Sequence, residues 1–79
     1  MLHVIVKMIS GRTTDQKDKL TKAITDNLTK IVDCEERSVS VSIEEFSLDD
    51  WPEKVYRPYI MEKEETLVKK PGYNPFDSE

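Results

Sequence analysis

The sequence predicts an α/β fold: a β-α-β unit with parallel strands plus short C-terminal helices, its sheet completed by oligomerisation. Three observations carry this. Residues 2–9 and 38–46 alternate apolar and polar side chains with the period of a strand. Between them an apolar residue recurs at every third or fourth position, the spacing of one helix face. Finally, a 79-residue chain that is 37% hydrophobic holds too little apolar material to cover both faces of a two-stranded sheet alone.

The first strand begins at the second residue, with Leu2, Val4, Val6 and Met8 on one face and His3, Ile5, Lys7 and Ile9 on the other. A strand that starts so early holds the α-amine at a fixed place. Such amines titrate at about 8, so modest desolvation makes one a general base near neutrality. Gly11 permits the turn that follows. Thr13 then opens a helix, with Gln16 completing a capping box. Its apolar stripe is Leu20, Ala23, Ile24, Leu28, Ile31 and Val32, after which residues 33–37 form a polar loop. In the second strand Val39, Val41 and Ile43 oppose Ser38, Ser40, Ser42 and Glu44.

Strand, helix and strand in this order make a right-handed crossover, the helix covering the valine faces. The other face carries His3, Ile5, Lys7, Ser40 and Ser42. A second copy of the chain is its simplest cover, which predicts a homo-oligomer with a polar-lined cavity near the interface. Further on, Ser47 is placed to cap a short helix from Leu48, and Pro52 is tolerable in a first turn. Pro58 should separate this piece from a second one ending at Lys70. Pro71 and Gly72 stop that piece, leaving 71–79 as a tail. Residues 1–79 are expected to form a single domain.

Composition excludes several functions. The formal charge is −4 with no basic stripe, which argues against nucleic acid. Neither a membrane-length apolar run nor a signal peptide is visible, so the cytoplasm is the expected location. The single cysteine, Cys34, allows neither an intrachain disulfide nor a zinc cluster. Its neighbours Asp33, Glu35 and Glu36 disfavour a thiolate nucleophile. Asp49 and Asp50 suit a first helical turn and lack the companions of a metal site. No metal and no cofactor are expected.

The stretch LHVIVKMISGRTTDQKDKLTKAITDNLTKIV followed by SVSVSIEE resembles the 4-oxalocrotonate tautomerase family over roughly the first 46 residues. Trp51 and KKPGY at 69–73 look like the longer, phenylpyruvate-type branch, which is associated with dimers. The resemblance implies keto–enol proton transfer on a small 2-oxo acid or its enol, with neither metal nor cofactor. In the family an amino-terminal proline is the base; its position here is Leu2. Leucine is too bulky for efficient removal of the preceding methionine, so the alternative amine is that of Met1. The resemblance further implies that Arg12 binds the substrate carboxylate or the developing enolate charge, and that Trp51 walls a dry pocket. A second arginine of the hexameric members falls at Ser40, which disfavours their dicarboxylate substrates. Ser40 could instead hydrogen-bond a ligand. His3 is expected at an interface or pocket rim. The competing reading is a non-catalytic, oligomeric ligand- or protein-binding module of the same fold.

Overall fold

The computed structural model describes residues 1–77. They fall into two compact units that divide after Glu45. The first holds strand β1 (Leu2–Ile9), helix α1 (Thr14–Ile31), a single 3-10 turn (Glu36–Ser38) and strand β2 (Val39–Phe46), whose last residue opens the second unit.

The local signals act where the residues place them. Gly11 has φ +133°, a conformation open to glycine and strained for other residues. Both halves of the capping box form: the Gln16 amide donates to Thr13 Oγ1 at 3.1 Å, and the Thr13 amide donates to Gln16 Oε1 at 2.9 Å. At the other end Asp33 takes φ +60°, the left-handed turn that stops a helix and that aspartate tolerates.

β1 and β2 pair directly in a two-stranded sheet. Two side-chain contacts bridge its outer face. His3 Nδ1 lies 2.7 Å from Ser40 Oγ, and Lys7 pairs with Glu44. Both join residues 37 apart in sequence, the constant offset of parallel strands. The starts of β1 and β2 therefore lie at the same end of the sheet.

α1 buries less than its stripe predicts. Ile24 and Leu28 are half-buried, while Ile31 is 80% exposed and Val32 51%. Thr21 and Thr25 share the half-buried side. Each returns its hydroxyl to the carbonyl four residues back, at 2.9 Å. Threonines satisfied in this way can face the sheet without a buried polar penalty. Among the described residues only Val55 and Tyr56 are fully buried, at 2% and 6% exposure, and both belong to the second unit.

The second unit departs from expectation in two places. Ser47 does cap a turn: its Oγ accepts the Asp50 amide at 3.1 Å, and its carbonyl accepts the Trp51 amide at 3.1 Å. A regular helix then runs through Pro52–Met61, and Pro58 lies inside it instead of dividing it. This helix is of the wide π type, with the Glu62 amide closing on the carbonyl of Arg57, five residues back, at 3.0 Å. A proline ring clashes with the carbonyl four residues earlier in an α-helix. Here the chain around Pro58 follows the five-residue repeat instead. The expected second piece shrinks to one 3-10 turn, Glu64–Thr66. Glu62 and Glu65 stand three apart along this stretch, a repulsive helical spacing.

The segment after Pro71 is anchored as far as the described residues reach; the last two residues of the predicted tail lie outside them. Tyr56 Oη donates to the Tyr73 carbonyl at 3.0 Å, and its ring meets those of Tyr73 and Phe76 at 5.4 and 6.0 Å. The Arg57 guanidinium covers Phe76 at 4.5 Å.

Candidate active site

The site residues of the first unit sort to the two ends of β1. At its start an open hollow of about 350 Å³ is lined by Met1, Leu2, His3, Arg37, Ser38 and Ser40, among others. Met1 is fully exposed at its edge. The His3–Ser40 contact joins the two strands beside it. At the far end a smaller hollow of about 160 Å³ is formed by Met8, Arg12, Gln16, Lys17 and Leu20. Strand rise separates residues 2 and 9 by roughly 23 Å. Within one chain, the amine and the Arg12 guanidinium therefore do not share a hollow. Among the described residues Arg12 has no carboxylate partner, whereas its neighbour Lys17 pairs with Glu45.

Trp51 belongs to the second unit. Its indole Nε1–H donates to Tyr73 Oη at 3.0 Å, and its ring meets Phe46 edge-on with centroids 6.3 Å apart. These two contacts fix both the tilt and the rotation of the indole plane. The same unit holds a hollow of about 300 Å³ whose lining includes Tyr56, Ile60, Leu67 and Pro71. Two further lining groups, Glu64 and Lys70, pair with each other at 3.5 Å.

Arg57 grips Glu53 with two hydrogen bonds, Nε to Oε1 at 2.9 Å and Nη2 to Oε2 at 3.0 Å. Those bonds hold the Glu53 carboxyl below its ordinary range and raise Arg57 above its own. One helical turn separates the two on the surface, which marks a structural pair. Among the described residues no three His, Cys, Asp or Glu side chains gather as a metal site requires, and no helix is long and apolar enough to cross a membrane. Cys34 is half-buried, its thiol 3.7 Å from the Leu28 carbonyl.

Arg37 is the residue that sequence reading missed. Between Glu36 and Ser38 it reads as one more charge in a polar loop. The signal was its place just ahead of β2: with parallel strands, the residue preceding β2, Ser38, neighbours Met1, and Arg37 is the charge next to it.

Residues 3–52 match the family model described as "Tautomerase enzyme". The chain is 33% identical over 78 residues to a "Probable tautomerase" of Xylella fastidiosa (strain 9a5c), covering 99% of this chain and 95% of that protein. It is 32% identical over 74 residues to "Tautomerase PptA" of Cronobacter sakazakii (strain ATCC BAA-894), covering 92% and 97%. Among solved structures it resembles YwhB, described as a homologue of 4-oxalocrotonate tautomerase. That match has a TM-score of 0.56 and 36% identity, over 57% of this chain and 74% of the other.

Proposed function

The chain belongs to the tautomerase family, and from that premise we propose that it is a keto–enol tautomerase of small 2-oxo acids such as phenylpyruvate. Residues 1–79 act in this reading as one tautomerase-like domain that needs no cofactor and works in the cytoplasm. The observation that supports it most is the amino-terminal hollow, where the first residue of β1's approach stands beside His3 and Ser40.

In the reaction, a terminal amine removes the enol hydroxyl proton and a proton is delivered to the adjacent carbon, leaving the ketone. Nothing is oxidised or reduced, and the proton count is unchanged. With leucine at the proline position the amine is that of Met1, one residue farther along the chain. That displacement is about 3.5 Å, more than the whole reach of a hydrogen bond. Turnover is therefore expected to fall well below that of a proline base. Arg12 is assigned the developing enolate charge, and Trp51 the dry wall that the family pattern gives it. Because Arg12 and Met1 lie at opposite ends of β1, a second copy of the chain, in a homodimer, has to bring an Arg12 to each amine.

The test follows the loss of enol absorbance of phenylpyruvate for the parent chain and for Leu2→Pro, with methionine removal checked by mass. A restored base is expected to raise the rate by about 10²- to 10⁴-fold. Equal inactivity of both chains would refute the enzyme and leave the non-catalytic binding module.

A further inference from the structure

The amino-terminal hollow contains a guanidinium for which the foregoing mechanism has no use. Arg37 lines it together with Met1, Leu2, His3 and Ser40. Three features place it there. The parallel pairing of β1 and β2 at an offset of 37 residues sets Met1 opposite Ser38, the residue that follows Arg37. The 3-10 turn Glu36–Ser38, closed by the Ser38 amide on the Glu35 carbonyl at 2.9 Å, fixes the backbone that carries Arg37. Ser40, where a strand arginine was expected to be missing, opens into the same hollow three residues later.

The side chain is available. Arg37 Nε lies 2.7 Å from Glu35 Oε2, in a pair whose side chains are 84% and 69% exposed. Such surface pairs contribute on the order of 0–1 kcal/mol, so another carboxylate exchanges for Glu35 at little cost. A guanidinium carries five N–H donors in a planar fork. Its geometry suits a carboxylate bound edge-on. The acids nearest to it in the chain, Glu35 and Glu36, work against an incoming anion, and Glu35 competes for the fork directly.

We infer that Arg37 anchors the carboxylate of the 2-oxo acid in the hollow of its own protomer, with Glu35 as the internal competitor that this carboxylate displaces. The inference rests on the proposed tautomerase reading for the identity of the ligand. It assigns the two guanidinia different tasks: Arg37 holds the carboxylate, while the Arg12 of another copy faces the reacting oxygen. It also makes the site selective for acids over their amides.

Calorimetry with phenylacetate, which has the carboxylate but no oxo group, tests the anchor without turnover. Phenylacetamide is the uncharged control. Arg37→Gln is expected to weaken phenylacetate about tenfold, the loss of one charge-assisted contact, and to leave phenylacetamide unchanged. Arg37→Lys should recover only part, because an ammonium lacks the fork. Glu35→Gln, which removes the competitor, should tighten phenylacetate roughly two- to threefold. In the Leu2→Pro background, Arg37→Gln should raise KM for phenylpyruvate about tenfold with kcat nearly unchanged, the signature of lost ground-state binding.

The outcomes separate the two readings. If Leu2→Pro turns over and Arg37→Gln leaves its KM alone, the anchor is wrong and the tautomerase stands. If Leu2→Pro is inert but phenylacetate binding depends on Arg37 and Glu35 as stated, the anchor stands and the tautomerase falls. Phenylacetate that binds Arg37→Gln as tightly as the parent, or that binds neither the parent nor Glu35→Gln, overturns the anchor.

Discussion

Tyr56 offers the sharpest test of how the second unit is held, because its ring and its hydroxyl act on the same segment. The ring is 6% exposed and meets Tyr73 and Phe76, and the hydroxyl donates to the Tyr73 carbonyl at 3.0 Å. Tyr56→Phe keeps every ring contact and removes only the bond. The carbonyl left behind belongs to a residue that is itself 49% exposed, so water can replace the lost donor. The expected loss is then about 1 kcal/mol, the net value of a satisfied hydrogen bond, and not the larger penalty of a buried orphan. Tyr56→Ala deletes the ring as well and should cost about 3–5 kcal/mol. Urea unfolding at fixed protein concentration measures both, followed by the emission of Trp51, the single tryptophan, whose indole is bonded to Tyr73. For a chain this small a slope near 1 kcal/mol per molar urea is typical. Tyr56→Phe should lower the midpoint by about 1 M, and Tyr56→Ala by several times more. An unshifted midpoint in Tyr56→Phe would refute the bond's contribution. Equal losses in the two variants would show that the ring packing adds nothing.

Two further outcomes follow from the geometry. Ile5 is half exposed on the sheet face assigned to a second copy, and Ile5→Glu would bury a charge there at a cost of several kcal/mol; light scattering should find the parent as a dimer or larger and the variant as a monomer, and a folded monomeric parent would refute the assignment. Arg57 lowers the Glu53 pKa from its ordinary 4.5, so this pair stabilises fully above 4.5 and loses its effect as pH falls through the lower folded value; carboxyl NMR titration should find Glu53 returned to its ordinary range in Arg57→Gln, and an unmoved titration would count against the bond.

Much of the first unit was legible because its determinants are local. Alternation over eight residues dictates a strand, and Thr13 with Gln16 starts a helix by bonds that span three residues. These signals need no knowledge of the rest of the chain. Pro58 was misread for the opposite reason. A proline's effect depends on how many residues separate donor and acceptor in the helix around it, and composition does not reveal that repeat. The tail was underestimated likewise: PGYNPF reads as loop, yet Tyr73 receives bonds from Tyr56 and Trp51, residues 17 and 22 positions earlier.

By itself, the sequence determined the order of β1, α1 and β2, their approximate bounds, the partly polar face and the resemblance to the tautomerase family, but it assigned Ser38 to β2, where the structure has that residue end a 3-10 turn. The tertiary structure alone decided which of these residues meet. Parallel pairing sets Met1 opposite Ser38, with Arg37 lining the same hollow, and sends Arg12, only eleven residues from Met1, to the opposite end of the strand. Distance along an extended strand grows by about 3.3 Å per residue, while paired strands lie under about 5 Å apart whatever the separation in sequence.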